Sequence, residues 1–406
     1  MVVIPNNKLH LPKANMGSVG TQTVSAVVAY PPAEFGKPVF KHENLTITRP
    51  QPKENEVLVR VIAVGVCHTD IYVGGLPAPH MSYPSALGHE GAGYVEAVGS
   101  AVKSVATGDP VLLSYTFCGT CDFCEDGQQT YCQRFMEENI ACQDKIWKTE
   151  DGAEVGGRYF GQSSFASLTI VDEKSVVNVK GMVNGDDELK KYSPLGCGLM
   201  TGSGAVVNTA SARPSDVVLV TGLGAVGLGA VMAAKIQGCR GIIAVDRVKS
   251  RLDVARELGA THIFDTTGMD ISKDAYASDL AEELKKIAPD GKINFALDTT
   301  GVLPLVNAQI KALSKRGKLI QIGVPVTNPS PIMPFDYQDF FGATKRMEIN
   351  YLGDALAKEY VPKMIQWHQE GKFPFDKFIK FYDAKDVAQA LEDMKVEVIK
   401  PILVHS

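Results

Sequence analysis

The chain has 406 residues, 45% hydrophobic and 21% charged, enough for two or three domains with sizeable cores. Its 41 Lys and Arg against 46 Asp and Glu give a net charge of −5 without long like-charge blocks, which argues against a nucleic-acid partner. Eight cysteines, behind a start (MVVIPNNKLHLPKANMGSV) with no signal-peptide pattern, point to thiols kept reduced in the cytoplasm for metal or catalysis.

Residues 1–20, punctuated by Pro, Asn and Gly, read as a loose arm or an edge extension. From TVSAVVAY at 23–30 to about 115, short β-like runs (LTITRP, EVLVRVIAVG, GAGYVEAVG) are separated by Pro, Gly and Asn. They predict an all-β, barrel-like unit. Residues 117–160 lose periodicity and gather cysteines and charges, so a lobe without a large core is expected there. SFASLTIV at 164–171 restores a strand. From about 200, continuous apolar strands (VVLVTG, GIIAVD, THIFD, INFALDTT, KLIQIGV, MEINYLG) alternate with amphipathic helices. That alternation predicts a parallel sheet covered on both faces. The tail from about 354 holds two helical stretches and a last strand, VIKPILV. Val217 to Ala234 is 18 residues with Thr221 as the only polar side chain, close to membrane-spanning length. Its four glycines and opening VVLV run favour a buried strand turning into a helix.

Within that stretch, Gly222-Leu223-Gly224-Ala225-Val226-Gly227 follows a predicted strand and opens a helix. Glycines here permit a tight turn and close backbone approach, leaving helix N-terminal amides to face a pyrophosphate. Asp246, at the end of the second strand, suits the ribose hydroxyls and repels a 2′-phosphate, favouring NAD over NADP. Arg247 beside it weakens that preference, because a guanidinium pairs with phosphate.

Cys118, Cys121, Cys124 and Cys132 place four thiols within 15 residues. A closed tetrahedral zinc is the simplest reading; an iron–sulfur cluster or two disulfides also satisfy the spacing. A second, dispersed group comprises Cys67 in GVCHTD, His89 and Glu90 in GHEG, and Cys197 in PLGCG. Two thiolates and one imidazole make a three-ligand zinc site with an open fourth position.

GVCHTD, GHEGAGYVEAVGSAV, the four-cysteine block, PLGCGLMTG and GLGAVG, in this order and at these separations, resemble the zinc-containing medium-chain alcohol dehydrogenase family from about residue 23 to the C-terminus. The resemblance implies an α/β fold: a Rossmann doubly wound parallel sheet plus a GroES-like β-barrel catalytic domain carrying a structural-zinc lobe. The boundaries it suggests are 1–198 for the catalytic domain (lobe at about 117–160), 199–353 for the coenzyme domain and 354–406 for a return to the first. It implies two zinc ions, one catalytic on Cys67, His89 and Cys197 with Glu90 behind it, and one structural on the lobe cysteines. Asp70 would orient His89. His68 would touch the cofactor pyrophosphate, Thr69 would pass the alcohol proton and Thr201 would pack at the nicotinamide. Arg251 would lie near the adenosine ribose, Lys400 near the pyrophosphate, and the backbone from Ile322 to Val324 would hold the carboxamide. Many relatives have a histidine where this chain has Tyr72. A phenol, with a reference pKa near ~10, exchanges protons poorly at neutral pH, so Tyr72 either ends a weakened relay or simply lines the pocket.

GRYFGQSSFA, PLGCGLMTGSGAVVN and GKFPFDKFIKFY look most like the aryl (benzyl) alcohol dehydrogenase branch. The resemblance therefore implies reversible NAD-dependent conversion of a primary aromatic or allylic alcohol to its aldehyde by a homodimer or homotetramer. Tyr115, Phe117, Tyr131, Phe135 and Trp147 either form a slot for a flat ring or are ordinary packing. CHTD also occurs in glutathione-dependent formaldehyde dehydrogenases, but that branch usually has STFSEY-like residues in place of GQSSFA. A biosynthetic aldehyde or ketone reductase is a further alternative. A non-catalytic dinucleotide-binding relative would be expected to have lost a ligand or Thr69, and none is lost.

Overall fold

The computed structural model describes residues 22–78, 80–325, 331–333 and 335–405; the arm expected of residues 1–20 lies outside them. Strand Thr23–Tyr30 pairs along its whole length with Val39–Ile47. Asp144–Lys148, Glu154–Gly157 and the short Ser85–Ala86 close these into a barrel around Val24, Val28, Leu45, Ile146, Trp147 and Val155. The part of the expected lobe beyond residue 143 is thus barrel wall. Each of its strands is only four or five residues long, too short to show a period in sequence, although Ile146, Trp147 and Val155 are buried.

Against the barrel lies a sheet in the order Val176–Asn178, Pro110–Leu113, Gly91–Val98, Glu56–Gly65, Lys400–Val404 and Ile379–Asp383, with Leu168–Asp172 also on Glu56–Gly65. Ile402 and Leu403 stand opposite Gly65 and Val64, so the end of the chain is built into the sheet of its beginning. Ile379–Asp383 was not among the predicted strands. It sits at a sheet edge with no fully buried position, so only its parallel pairing with Lys400–Val404 defines it.

The expected parallel sheet is present, with order His262–Asp265, Gly241–Asp246, Val217–Thr221, Phe295–Asp298, Lys318–Gln321, Arg346–Ile349 and every neighbouring pair parallel. The apolar stretch at 217–234 resolves into strand Val217–Thr221 and helix Ala225–Ile236. Val218 and Val220 face one core while Val217 and Leu219 face another, which is why no polar alternation shows. Among the described residues no helix is long and apolar enough to cross a membrane.

One helix joins the two halves. Gly198–Gly204 is buried at every position, although three glycines in seven residues oppose helix by propensity. Their bareness is what the packing needs: a Cβ on Gly202 would fall 1.8 Å from the Val226 carbonyl oxygen, and one on Gly204 2.4 Å from that of Gly353. This contact sets Cys197 and Thr201 beside the glycine turn.

Candidate active site

Cys67 ends the approach from strand Glu56–Gly65 and caps the helix His68–Gly74. His89 and Glu90 directly precede strand Gly91–Val98, and Cys197 precedes the buried helix. Three distant segments thereby bring Cys67, His89, Glu90 and Cys197 together, with one ligand atom of each within 4.8 Å of all the others. Asp70, with no exposed surface, holds the arrangement. One carboxylate oxygen lies 2.8 Å from His89 Nδ1 and accepts from the Gly88 amide, and the other accepts from the Cys67 amide at 2.9 Å. Asp70 outweighs the burial penalty and raises His89 well above its ordinary value; with Nδ1–H donated to Asp70, Nε2 is the ring atom at which a metal would take the place of a proton. That atom is buried and has no hydrogen-bond partner, a costly state for a polar atom that a metal between the two sulfurs relieves. The hydrogen bond between the two thiols holds Cys67 well below its ordinary value and Cys197 well above it, so the pair favours a single thiolate, on Cys67. The residues fit zinc.

The lobe fits it as well. Its four sulfurs lie within 4.8 Å of one another, with Cys118 Sγ 3.8 Å and Cys121 Sγ 3.5 Å from Cys124 Sγ. Thiolates at about 2.3 Å around a tetrahedral ion stand about 3.8 Å apart, whereas a disulfide needs about 2.05 Å; all eight cysteines are free. The lobe helices, Asp122–Glu125 and Phe135–Asn139, are four and five residues long, so a metal bound here would supply folding energy. Cys121→Ser is expected to lose one zinc by elemental analysis and to lower the melting temperature by about 5 °C. An unchanged melting temperature would refute a structural role.

On the parallel sheet, Gly222 has φ +86°, and a Cβ on Gly227 would meet the Gly222 carbonyl oxygen at 1.9 Å, whereas one on Gly224 would meet nothing within 4 Å. Two glycines are therefore required by packing and the third leaves open space before the amides of helix Ala225–Ile236, as a pyrophosphate requires. Asp246 closes the turn: it accepts from the Leu223 amide at 2.7 Å and from the Arg247 and Val248 amides, leaving further lone pairs for ribose hydroxyls.

Two family models match the chain: an alcohol dehydrogenase GroES-like domain over residues 53–181 and a zinc-binding dehydrogenase over 225–370. Geraniol dehydrogenase of Castellaniella defragrans is 35% identical over 360 residues, 87% of this chain and 91% of its own. The chain belongs to the zinc-containing medium-chain alcohol dehydrogenase family. Two crystal structures share the fold closely. An alcohol dehydrogenase zinc-binding domain protein from Burkholderia ambifaria is 36% identical, with TM-score 0.84 over 95% of this chain and 99% of that one. Benzyl alcohol dehydrogenase from Acinetobacter calcoaceticus is 35% identical, with TM-score 0.81 over 95% and 100%.

In this dehydrogenase Thr69 Oγ1 lies 3.6 Å from Cys67 Sγ, at the metal group. His68 beside it is exposed at the start of the helix. Thr201 is 7% exposed and its hydroxyl donates to the Cys197 carbonyl at 2.9 Å, so it offers its methyl face rather than its oxygen. Tyr72 is half-buried against the main core, and among the described residues no hydrogen bond joins it to Thr69. Arg251 keeps a buried, unpartnered Nε. The amides of Ile322 and Gly323 both donate to the Asp298 carbonyl at 2.9 Å, and Val324 is exposed.

Lys400 is paired within the chain. Its ammonium is buried and donates to Glu90 Oε1 and Oε2 at 3.0 and 2.9 Å and to the Val66 carbonyl at 2.9 Å. These contacts hold the ammonium beside the carboxylate behind the metal group. The resemblance implies a place for Lys400 near the cofactor pyrophosphate, and pairing of the last strand with Glu56–Gly65 sets its ammonium against Glu90. Trp147 likewise lies in the barrel core, bonded to the Leu168 carbonyl, and does not form a slot. Of the two cysteines outside the metal groups, Cys142 is pushed up to about 12 by burial and Cys239 to about 11, which leaves both as unreactive thiols. Sequence reasoning missed Gln162, whose buried amide ties the His89 and Ser114 carbonyls and the Gly91 amide. It also missed Tyr159 and Phe160, whose rings lie against His89. Nothing in the run GRYFGQS marks them, because the loop's conformation alone decides which way they face.

Proposed function

We propose that this chain oxidises primary aromatic or allylic alcohols reversibly to aldehydes in the cytoplasm, using NAD and two zinc ions, one on Cys67, His89 and Cys197 and one on the four lobe thiols. The observation that carries the reading is the unpartnered Nε2 of buried His89 set among two cysteine sulfurs. The geraniol and benzyl alcohol dehydrogenases among its relatives support the substrate class. When bound, zinc supplies a Lewis acid that makes the alcohol hydroxyl more acidic or polarises the aldehyde carbonyl, and nicotinamide supplies the hydride acceptor or donor.

The chain's own residues do the rest. Asp70 fixes the histidine tautomer; the Thr69 hydroxyl would accept the alcohol proton and pass its own outward to solvent. Lys400 neutralises Glu90, so the carboxylate stands behind the site without adding net charge to it. Gly224 admits the pyrophosphate, and the Asp246 carboxylate accepts from ribose hydroxyls and repels a 2′-phosphate. The edge strand Arg346–Ile349, with Met347 36% and Ile349 50% exposed, supports a homodimer or homotetramer formed there.

Initial rates over benzylic, allylic, aliphatic and S-hydroxymethylglutathione substrates, each with NAD and NADP, test the reading. Highest kcat/KM for benzylic or allylic alcohols with NAD is expected. A preference for S-hydroxymethylglutathione would replace the substrate assignment, and a preference for NADP the cofactor assignment.

A further inference from the structure

We infer that Phe160 is a positioning residue for His89, pressed flat onto the imidazole by a left-handed loop and backed by Phe135 of the four-thiol lobe. The inference rests on the reading of Cys67, His89 and Cys197 as the catalytic metal site.

The rings of Phe160 and His89 stack with centroids 4.4 Å apart and planes 23° from parallel. Tyr159 meets the same imidazole edge-on at 5.5 Å and 82°. With Nδ1 held by Asp70 and the His89 carbonyl by Gln162, the Phe160 face is what prevents the ring from rocking out of its plane. Rocking would move Nε2 away from the two sulfurs while leaving the Asp70 hydrogen bond nearly intact.

The backbone is strained to make this contact. Arg158, Phe160 and Ser163 have φ of 65°, 52° and 56°, a region that costs non-glycine residues roughly 1–3 kcal/mol each and persists only where surroundings over-determine it. Those surroundings are visible. The Arg158 guanidinium meets Glu56 at 2.8 Å and Asp172 at 3.0 Å. The Ser163 hydroxyl accepts from the Tyr159 amide and donates to the Ala86 carbonyl. Behind Phe160, Phe135 stands edge-on at 6.1 Å, and its amide donates to the carbonyl of the lobe ligand Cys132 at 2.9 Å. The lobe therefore supports the catalytic histidine through two aromatic rings, in addition to ordering itself.

Phe160→Leu keeps apolar bulk and removes the flat face, while Phe160→Gly removes the ring together with the strain. In the zinc-loaded enzyme both are expected to release the catalytic zinc to a chelator about tenfold faster, the scale on which supporting residues around metal ligands act. Release of the lobe zinc should be unchanged. The value of kcat should fall about tenfold with KM for NAD unaltered, because the glycine turn is not touched. Phe135→Leu, which leaves the loop intact, should accelerate release about threefold. Folded Phe160→Leu releasing zinc within twofold of the parent would overturn the inference, as would an effect confined to KM for the alcohol, which would make Phe160 a pocket wall. Should neither Phe160 variant fold, unchanged release from Phe135→Leu would overturn it. A parent enzyme with only one chelatable zinc, or no turnover, would instead strike at the underlying site assignment.

Discussion

His89→Ala is expected to lower kcat/KM for the alcohol by roughly a thousandfold and to empty the catalytic zinc site while the lobe keeps its metal. The size follows from the chemistry withdrawn. A Lewis acid at the reacting oxygen is worth several kcal/mol of transition-state stabilisation, and each 1.36 kcal/mol is about tenfold in rate. Of the three proposed metal ligands, His89 is the one gripped from every side, by Asp70 at Nδ1, by Phe160 and Tyr159 on its ring and by Gln162 at its carbonyl. Its removal leaves two sulfurs and a carboxylate already paired with Lys400. Turnover at the parent rate with one zinc missing would refute the catalytic assignment; zinc counted by elemental analysis alongside the kinetics separates the two metals.

Lys400→Met should destabilise the fold by about 3–5 kcal/mol in urea denaturation, the range for removing one partner of a buried ion pair. Lys400 is 2% exposed and Glu90 0%, so the variant strands a carboxylate that solvent cannot reach. A Cβ on Gly65 would fall 2.0 Å from Glu90 Oε2, so the carboxylate is boxed in and has no room to swing toward water. The double variant Glu90→Gln with Lys400→Met should recover much of the loss, because it removes the unpaired charge along with the pair. A single-variant loss below about 1 kcal/mol would mean that Glu90 finds another partner.

The two groups of candidate metal-binding side chains and the glycine turn were legible in sequence because their chemistry tolerates few substitutes: sulfur and imidazole for zinc, and glycine where φ is +86° or where a Cβ would strike a carbonyl oxygen at 1.9 Å. The parallel strands were legible because burial on both faces leaves an unbroken apolar run. Short strands were not. Ile379–Asp383 is defined only by its pairing with Lys400–Val404, Glu154–Gly157 is held on one side by Ser85 from far earlier in the chain, and the helix Gly198–Gly204 contradicts its own local propensity.

The same division runs through the active site. By itself the sequence determined which atoms are available to bind metal, which turn admits a dinucleotide and, by resemblance, the family. Only the tertiary structure decided that Lys400 belongs to Glu90, that Trp147 belongs to the barrel, and that Phe160 lies on His89. Ligand identity is a property of single residues and short motifs, and survives on the one-dimensional chain. Which side chain touches which depends on strand register and on a few left-handed backbone angles, and those are settled by contacts between segments tens or hundreds of residues apart.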